Sequence, residues 1–147
     1  MYNIKISSTG LYLPAKIQTS AELAPLIGRS KDWIISRTQV AERRIAEESM
    51  EIIAAKAARD AIQDGKPPDC IINASTTPLQ LIPDSSVFIQ RALGYDEIPS
   101  FSVHSTCLSF IVAFHTAAAM IQGGSYKRIL IVSAETGTPW RNMKEPE

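Results

Sequence analysis

Cys107 is the residue whose type and position in this sequence best suit covalent chemistry. It lies in the stretch from Ser100 to Phe110, where a short strand-like pattern gives way to a long apolar helical pattern. A thiol at the N-terminus of a helix faces unpaired backbone N–H groups and the positive end of the helix dipole, and both favour the nucleophilic thiolate. The alternative is that Cys107 packs as a small buried hydrophobe, as most free cysteines do. The spacing alone leaves both interpretations open.

Two histidines, His104 and His115, are the candidates for a general base that acts on Cys107. His115 lies about 12 Å from Cys107 along the axis of the predicted helix, at roughly 1.5 Å per residue, and cannot reach the thiol. We interpret it either as a core histidine bonded to a neighbour or as a contact to a further layer of structure. His104 lies shortly before Cys107, at a spacing that does not by itself provide the ~3 Å contact that a base needs.

Hydrophobic spacing and turn residues predict strands and helices that alternate along the chain. The predicted strands cover residues 4–10, 70–75, 101–104 and 128–134. The predicted helices cover residues 20–28, 31–36, 50–64, 85–93 and 107–122, with Ser20 and Ser30 as N-caps. This order favours an α/β fold with a mainly parallel sheet.

The predicted helix at residues 107–122 is apolar on every face. A helix of that kind is normally buried on all sides. A single domain of this size cannot easily cover it, so we expect a further layer of structure to pack against it.

The composition fits one domain and excludes several kinds of partner. The chain has 147 residues, 45% of them hydrophobic, and its 15 basic and 15 acidic side chains cancel. Zero net charge gives no electrostatic attraction to nucleic acid or to an anionic membrane. The longest apolar stretch is shorter than the roughly 20 residues that span a bilayer, and the first residues do not form a signal peptide. We therefore expect a cytoplasmic protein without a nucleic-acid or membrane partner. Cys70 and Cys107 form no metal-site or disulfide pattern, so no metal is predicted.

A set of motifs runs along nearly the whole chain. It comprises Gly10-Leu-Tyr-Leu-Pro14, Asp32-Trp-Ile-Ile-Ser-Arg-Thr38, Glu42-Arg-Arg-Ile45, Ala74-Ser-Thr-Thr77, Ile82-Pro83, Ile89-Gln90, Leu93-Gly94 and the Cys107 segment. Together these motifs resemble the N-terminal half of β-ketoacyl-acyl-carrier-protein synthase III, within the thiolase-like superfamily. The resemblance implies a thiolase-like layered α/β fold with a mainly parallel sheet and a buried central helix. It also implies that residues 1–147 form the N-terminal half of a two-half architecture and that the C-terminal half is absent.

The resemblance implies an acyltransferase with Cys107 as its nucleophile. In the family an acyl-CoA thioester acylates the corresponding cysteine. The acyl-enzyme then condenses with malonyl-acyl-carrier protein, which loses carbon dioxide, in fatty-acid or related biosynthesis. Covalent catalysis of this kind divides one difficult step into two, and the backbone N–H of Cys107 is an expected oxyanion-hole donor. The family's His and Asn that assist decarboxylation lie in its C-terminal half, so we expect this chain alone to be catalytically incomplete.

Trp33, Arg37 and Thr38 match the positions at which the family binds coenzyme A, which is a substrate rather than a permanently bound cofactor. An indole stacks on adenine, a guanidinium pairs with phosphate, and a hydroxyl can bond to either. The alternative is that Trp33 packs in the core and Arg37 forms a surface ion pair. Ile82 falls where many relatives place a bulky residue that closes the acyl pocket of the partner subunit. An aliphatic residue at that position hints at a different acyl group.

The resemblance also implies partners. These are acyl-CoA, acyl carrier protein, and either a second copy in a homodimer or a chain that supplies the C-terminal half. Arg43 and Arg44 are interpreted either as a solvated face or as a patch that attracts the anionic carrier domain.

Three departures from the family pattern indicate a divergent branch. Gln39 replaces the usual Gly, Leu108-Ser109 replaces a small residue and Gly, and His104-Ser-Thr replaces an Ala-rich lead-in to the nucleophile. These changes are compatible with an unusual acyl donor or with transfer to an acceptor other than malonyl-acyl-carrier protein. A further alternative is a catalytically incomplete fragment that binds coenzyme A or a partner through its apolar face.

Overall fold

Short strands and helices alternate along the described part of the chain, residues 4–137 and 142–145 of a computed structural model. In chain order they are β1 (Lys16–Thr19), α1 (Ser20–Leu26), α2 (Lys31–Thr38), β2 (Glu42–Ile45), α3 (Met50–Ala61), β3 (Cys70–Asn73), α4 (Ser86–Leu93), β4 (Ser100–Ser102), α5 (Ser109–Gln122) and β5 (Ile129–Val132). The chain divides into two units. The larger unit contains residues 4–12 and 48–135, and the smaller contains residues 13–47, 136–137 and 142–145.

The larger unit contains a parallel sheet with β3 at its centre. The strands β4 and β5 pair with opposite edges of β3, so that Ile71 lies opposite both Ser100 and Leu130. Every residue of β3 is buried, as is typical of a parallel strand that is covered on both faces. The predicted α/β fold with a mainly parallel sheet is therefore confirmed.

Helices lie on both faces of this sheet. On one face Ile72 shares an apolar cluster with Ala113 and Ala117 of α5. Successive side chains of a strand point to opposite faces, and on the other face the Ser100 hydroxyl donates to Gln90 Oε1 of α4 at 3.0 Å.

The helix α5 is buried only on the side that faces the sheet. Ala113 and Ala117 are 0% and 5% exposed, whereas Phe110 and Ile111 are 48% and 65% exposed. Within the described residues, the chain therefore does not supply the further layer that the sequence predicts against this apolar helix.

The smaller unit contains an antiparallel ladder of β1 and β2, in which Thr19 pairs with Glu42. The sequence patterns did not predict this ladder. Thr19 also caps α1 through a capping box with Glu22, so the N-cap is Thr19 and not the predicted Ser20. Ser20 is instead buried, and its hydroxyl donates to Val40 O at 2.7 Å.

The other helix ends agree with the sequence apart from shifts of a few residues. Ser30 caps α2 through its hydroxyl, as predicted. The helix α3 ends at Ala61 and not at Asp64, and α5 begins at Ser109 and not at Cys107.

Residues 4–10 do not form the predicted strand. Gly10 lies so close to α3 that a Cβ atom there would clash with the backbone nitrogen of Ala61. The backbone N–H of Leu11 donates to Asp60 Oδ2 at 2.9 Å. The segment therefore packs against the end of α3, and together with β5 and α5 it lines a mainly apolar cavity of about 350 Å³.

Gln39 ends α2 in the left-handed backbone conformation, with a φ of 57°. This conformation costs an ordinary side chain about 1 kcal/mol, whereas glycine adopts it freely. The cost gives a physical reason for the Gly that the family pattern has at this position.

We expect Gln39→Gly to raise the free energy of unfolding by up to about 1 kcal/mol, because glycine removes this backbone strain. Urea unfolding of the two chains measures the difference. Gln63→Gly is the matched control, since Gln63 is not among the residues with positive φ, and we expect it to be neutral or destabilising. Equal effects of the two substitutions would contradict the strain at Gln39.

Candidate active site

Cys107 lies on the turn between β4 and α5, just before the helix begins at Ser109. Its thiol is exposed, whereas Cys70 is buried in β3. The interpretation of Cys107 as a buried hydrophobe is therefore wrong in this chain. That interpretation applies to Cys70, where burial raises the pKa of the thiol.

Hydrogen bonds among neighbouring residues fix the turn that carries Cys107. Thr106 has a φ of 47°, a left-handed conformation that costs about 1–3 kcal/mol. Its carbonyl oxygen accepts bonds from the Ser109 hydroxyl at 2.7 Å and from the Ser109 N–H at 3.1 Å. The same hydroxyl accepts a bond from the Ser105 N–H at 2.9 Å. Ser109, which stands where the family pattern has Gly, thus holds the turn closed.

Neither the Nε2 atom of His104 nor the His115 side chain matches a base that acts on Cys107. The Nε2 atom of His104 lies 2.9 Å from Thr76 O, and because a carbonyl oxygen only accepts, this nitrogen carries a proton and is not the base. His115 is exposed on α5. The interpretation of His115 as a core residue is therefore wrong, and a contact with a further layer stays a prediction.

A carboxylate lies at this edge of the sheet that the sequence did not predict as part of the site. Glu135 follows β5, and its Oε2 accepts bonds from the Thr77 N–H at 3.2 Å and from the Thr77 hydroxyl at 2.9 Å. Its Oε1 accepts a bond from the Thr76 N–H. The Thr76 hydroxyl in turn donates to Thr106 O at 3.3 Å, next to Cys107. No local pattern marks Glu135, because its partners lie 58 and 59 residues away.

Hydrogen bonds around the buried side chain of Asn73 support the same edge of the sheet. Asn73 is 2% exposed, and its Nδ2 donates to Ser102 Oγ at 2.9 Å. The Ser102 hydroxyl donates to Asp84 Oδ1 at 2.9 Å. On the other side of Asn73, the Ser75 hydroxyl donates to its Oδ1 at 2.6 Å. The buried polar groups of Asn73 and Ser75 are bonded in this way, which holds one arrangement of the chain.

The predicted coenzyme A residues lie together on α2, in the smaller unit. The guanidinium carbons of Arg29 and Arg37 lie 5.3 Å and 5.8 Å from the centre of the Trp33 ring, within the range of a cation–π contact. Trp33 is also partly buried against the apolar cluster of α1 and α2. Trp33 is therefore partly packed, as the alternative interpretation has it, and its binding of coenzyme A stays a prediction. The sequence did not predict Arg29 as a neighbour of Trp33. Arg29 precedes α2, so the spacing of residues within a helix does not indicate that the two side chains meet.

The Thr38 hydroxyl is engaged at the end of α2. It donates to Ile34 O at 2.8 Å and accepts a bond from the Val40 N–H at 3.1 Å. These bonds hold the backbone on both sides of Gln39.

Ile82 lies on an exposed apolar loop of the larger unit. Its side chain is 89% exposed, and the neighbouring Leu81 is 86% exposed. An apolar pair this accessible is suited to contact another molecule.

Within residues 4–137 and 142–145, no three His, Cys, Asp or Glu side chains come close enough together to hold a metal ion. In the same part of the chain, no helix is long and apolar enough to cross a membrane.

Comparisons with known proteins find similarity to one class of acyl-carrier-protein synthase. A family model described as 3-oxoacyl-[acyl-carrier-protein (ACP)] synthase III matches residues 101–147. The chain is 40% identical over 138 residues to the β-ketoacyl-[acyl-carrier-protein] synthase III of Laribacter hongkongensis. This alignment covers 90% of this chain and 43% of that protein. It is 36% identical over 146 residues to the enzyme of that name from Chlamydia trachomatis, covering 95% of this chain and 45% of the relative.

A solved structure extends the comparison to three dimensions. The crystal structure of 3-oxoacyl-[acyl-carrier-protein] synthase III from Aquifex aeolicus VF5 matches with a TM-score of 0.89 and 32% sequence identity, over 96% of this chain and 47% of that one. The fold is therefore that of the thiolase-like enzymes. More particularly, the chain is similar to β-ketoacyl-acyl-carrier-protein synthase III and fits the N-terminal half of that enzyme, which confirms the resemblance carried by its motifs. The chain spans less than half the length of the relatives named here.

The contrast between the two cysteines gives a direct chemical prediction. We expect iodoacetamide to modify Cys107 in the native chain at least about tenfold faster than Cys70, because burial protects Cys70 and disfavours its thiolate. Peptide mass spectrometry after timed labelling measures both rates. In urea the two rates should converge, and Cys107→Ala should abolish the fast reaction. Equal labelling of the two cysteines under native conditions would contradict the described site.

Proposed function

We propose that this chain carries the acylation site of an acyltransferase of the 3-oxoacyl-acyl-carrier-protein synthase III type, with Cys107 as the nucleophile. The observation that carries the proposal is an exposed thiol on a fixed turn at the start of α5, in a chain similar to half of that enzyme. Because the chain spans less than half of its relatives, we assign only the acylation half-reaction to it. Decarboxylative condensation with malonyl-acyl-carrier protein is proposed for the enzyme completed by a C-terminal half.

The proposed acylation exchanges one thioester for another. The Cys107 thiolate attacks the carbonyl carbon of acyl-CoA, forming a new S–C bond and moving negative charge onto the carbonyl oxygen. The backbone N–H of Cys107, at the positive end of α5, is the proposed donor to this oxyanion. Collapse of the intermediate breaks the bond between the carbonyl carbon and the coenzyme A sulfur. The departing thiolate then takes up the proton that Cys107 released.

Trp33, Arg37 and Thr38 are the proposed binding residues for coenzyme A. The Arg29 and Arg37 guanidinium groups beside the Trp33 indole suit a ligand that combines an aromatic base with several phosphates. Thr38 is proposed to contact coenzyme A directly. It also contributes indirectly, because the two hydrogen bonds of its hydroxyl hold the end of α2 in place.

Ile82 is the proposed acyl-pocket residue. Its exposure supports a contact with a second subunit, either another copy of the chain or a chain that supplies the C-terminal half. Leu108, which is 61% exposed beside the nucleophile, adds bulk where the family pattern has a small residue. This bulk supports an acyl donor different from the usual one.

Acyl carrier protein is the proposed acceptor-bearing partner, and the cytoplasm is the proposed location.

Acyl transfer to the thiol is tested by intact-mass spectrometry after incubation with acyl-CoA. The chain is used alone and mixed with the C-terminal half of the Laribacter hongkongensis relative. We expect a gain of one acyl group that maps to Cys107, is lost in Cys107→Ala and is kept in Cys70→Ala. An adduct that persists in Cys107→Ala, or none in either preparation, would refute the proposal. Binding of coenzyme A without an adduct would favour the binding-module alternative.

The proposed coenzyme A site is tested by equilibrium dialysis with labelled coenzyme A. We expect Trp33→Ala to weaken binding about tenfold, because base stacking on an aromatic ring is lost, and Trp33→Phe to weaken it less. Arg91→Ala, which removes an exposed arginine of α4, is the control and should leave the affinity unchanged. Unchanged affinity in Trp33→Ala would place the nucleotide elsewhere.

A further inference from the structure

We propose that Glu135, acting through Thr76 and Thr77, is a positioning residue for Cys107. The three side chains Glu135, Thr76 and Thr77 are called the threonine clamp below. The inference rests on the proposed function only in assigning acyl transfer to Cys107, and the clamp itself can be tested without that reaction.

The first link of the threonine clamp joins the ends of two neighbouring strands. In the parallel pair of β3 and β5, Asn73 lies opposite Val132, so the residues that follow both strands meet at one edge of the sheet. There the Glu135 carboxylate accepts two backbone N–H groups and the Thr77 hydroxyl. Bonds to an ionised acceptor are stronger than those between neutral groups, so Glu135 fixes the backbone of Thr76.

The second link joins the threonine clamp to the segment that follows β4. The Thr76 hydroxyl donates to Thr106 O at 3.3 Å. In the opposite sense, the His104 Nε2–H donates to Thr76 O at 2.9 Å. The residues after β5, β3 and β4 are thereby tied together by hydrogen bonds at the edge where Cys107 lies.

The third link is the backbone conformation of Thr106, which directly precedes Cys107. A residue with a side chain stays in the left-handed region only where its surroundings hold it there. Thr106 has a φ of 47°. Its carbonyl oxygen accepts hydrogen bonds from the hydroxyls of Thr76 and Ser109. Loss of the Thr76 bond removes the constraint that comes from outside the turn, so Cys107 becomes less well positioned for attack.

The chemistry of the threonine clamp specifies which substitutions break it. In Glu135→Gln, the amide NH₂ meets the N–H and hydroxyl donors of Thr77 or Thr76, and a donor cannot replace an acceptor there. In Thr76→Val, the shape is kept while the hydroxyl that reaches Thr106 is lost. In Thr76→Ser, the hydroxyl is retained, so this variant should restore the wild-type behaviour.

Hydrogen exchange at the amides of Leu108 and Ser109, which bond to Ser105 O and Thr106 O, tests the threonine clamp in the complete chain. We expect Thr76→Val and Glu135→Gln to accelerate exchange at these two amides about tenfold, while Ile71 and Ala74 in and beside β3 keep their rates. Thr116→Val is the matched control, because it removes a hydroxyl that bonds to Val112 O within α5, and it should leave exchange at Leu108 and Ser109 unchanged.

Acyl transfer supplies the second readout. In Thr76→Val we expect the rate of Cys107 acylation by acyl-CoA to fall about tenfold, because a small misplacement of a reacting group slows the reaction. The affinity for coenzyme A should stay unchanged, and Thr76→Ser should restore the wild-type rate. Unchanged exchange at Leu108 and Ser109, or equal acceleration across β3, would overturn the positioning role. If the wild-type chain accepts no acyl group, the exchange result still decides on the threonine clamp, while the proposed function fails separately.

Discussion

The parallel pairing of β3 with both of its neighbours is the constraint on which the rest of the larger unit depends. Carboxyl ends of parallel strands meet at one edge, and sites in α/β folds gather there. Thr76, Thr106 and Glu135 follow three different strands and are brought together only by this pairing. The buried strand β3 also requires apolar cover, and α5 provides it on one face, which places Cys107 at the same edge.

Local patterns were sufficient to predict the sheet and most helices. The apolar run that begins at Cys70 marks the buried central strand, and the hydroxyl of Ser30 marks the start of α2. Local patterns failed where distant contacts decide the structure. The charged strand β2 is defined by its pairing with β1. Residues 4–10 have a strand-like sequence, but Gly10 packs on the end of α3.

The candidate site also contains one feature that local sequence patterns predict and others that they do not. Cys107 was predicted from its residue type, its place before an apolar helix and its surrounding motif. Glu135 could not be predicted, because nothing nearby in the sequence indicates that its carboxylate bonds to Thr76 and Thr77. The left-handed conformation of Thr106 was likewise invisible, since threonine rarely adopts it and the bonds that stabilise it come partly from another strand.

We propose that Cys107 is presented as a nucleophile by a turn whose geometry is fixed before any substrate arrives. A crystal structure of the chain after exposure to acyl-CoA tests this most directly. We expect electron density continuous with Cys107 Sγ and a Thr106 residue whose φ remains positive. Density on a different side chain, or a relaxed turn with Thr106 at negative φ and the Cys107 thiol directed into the apolar interior, would contradict it.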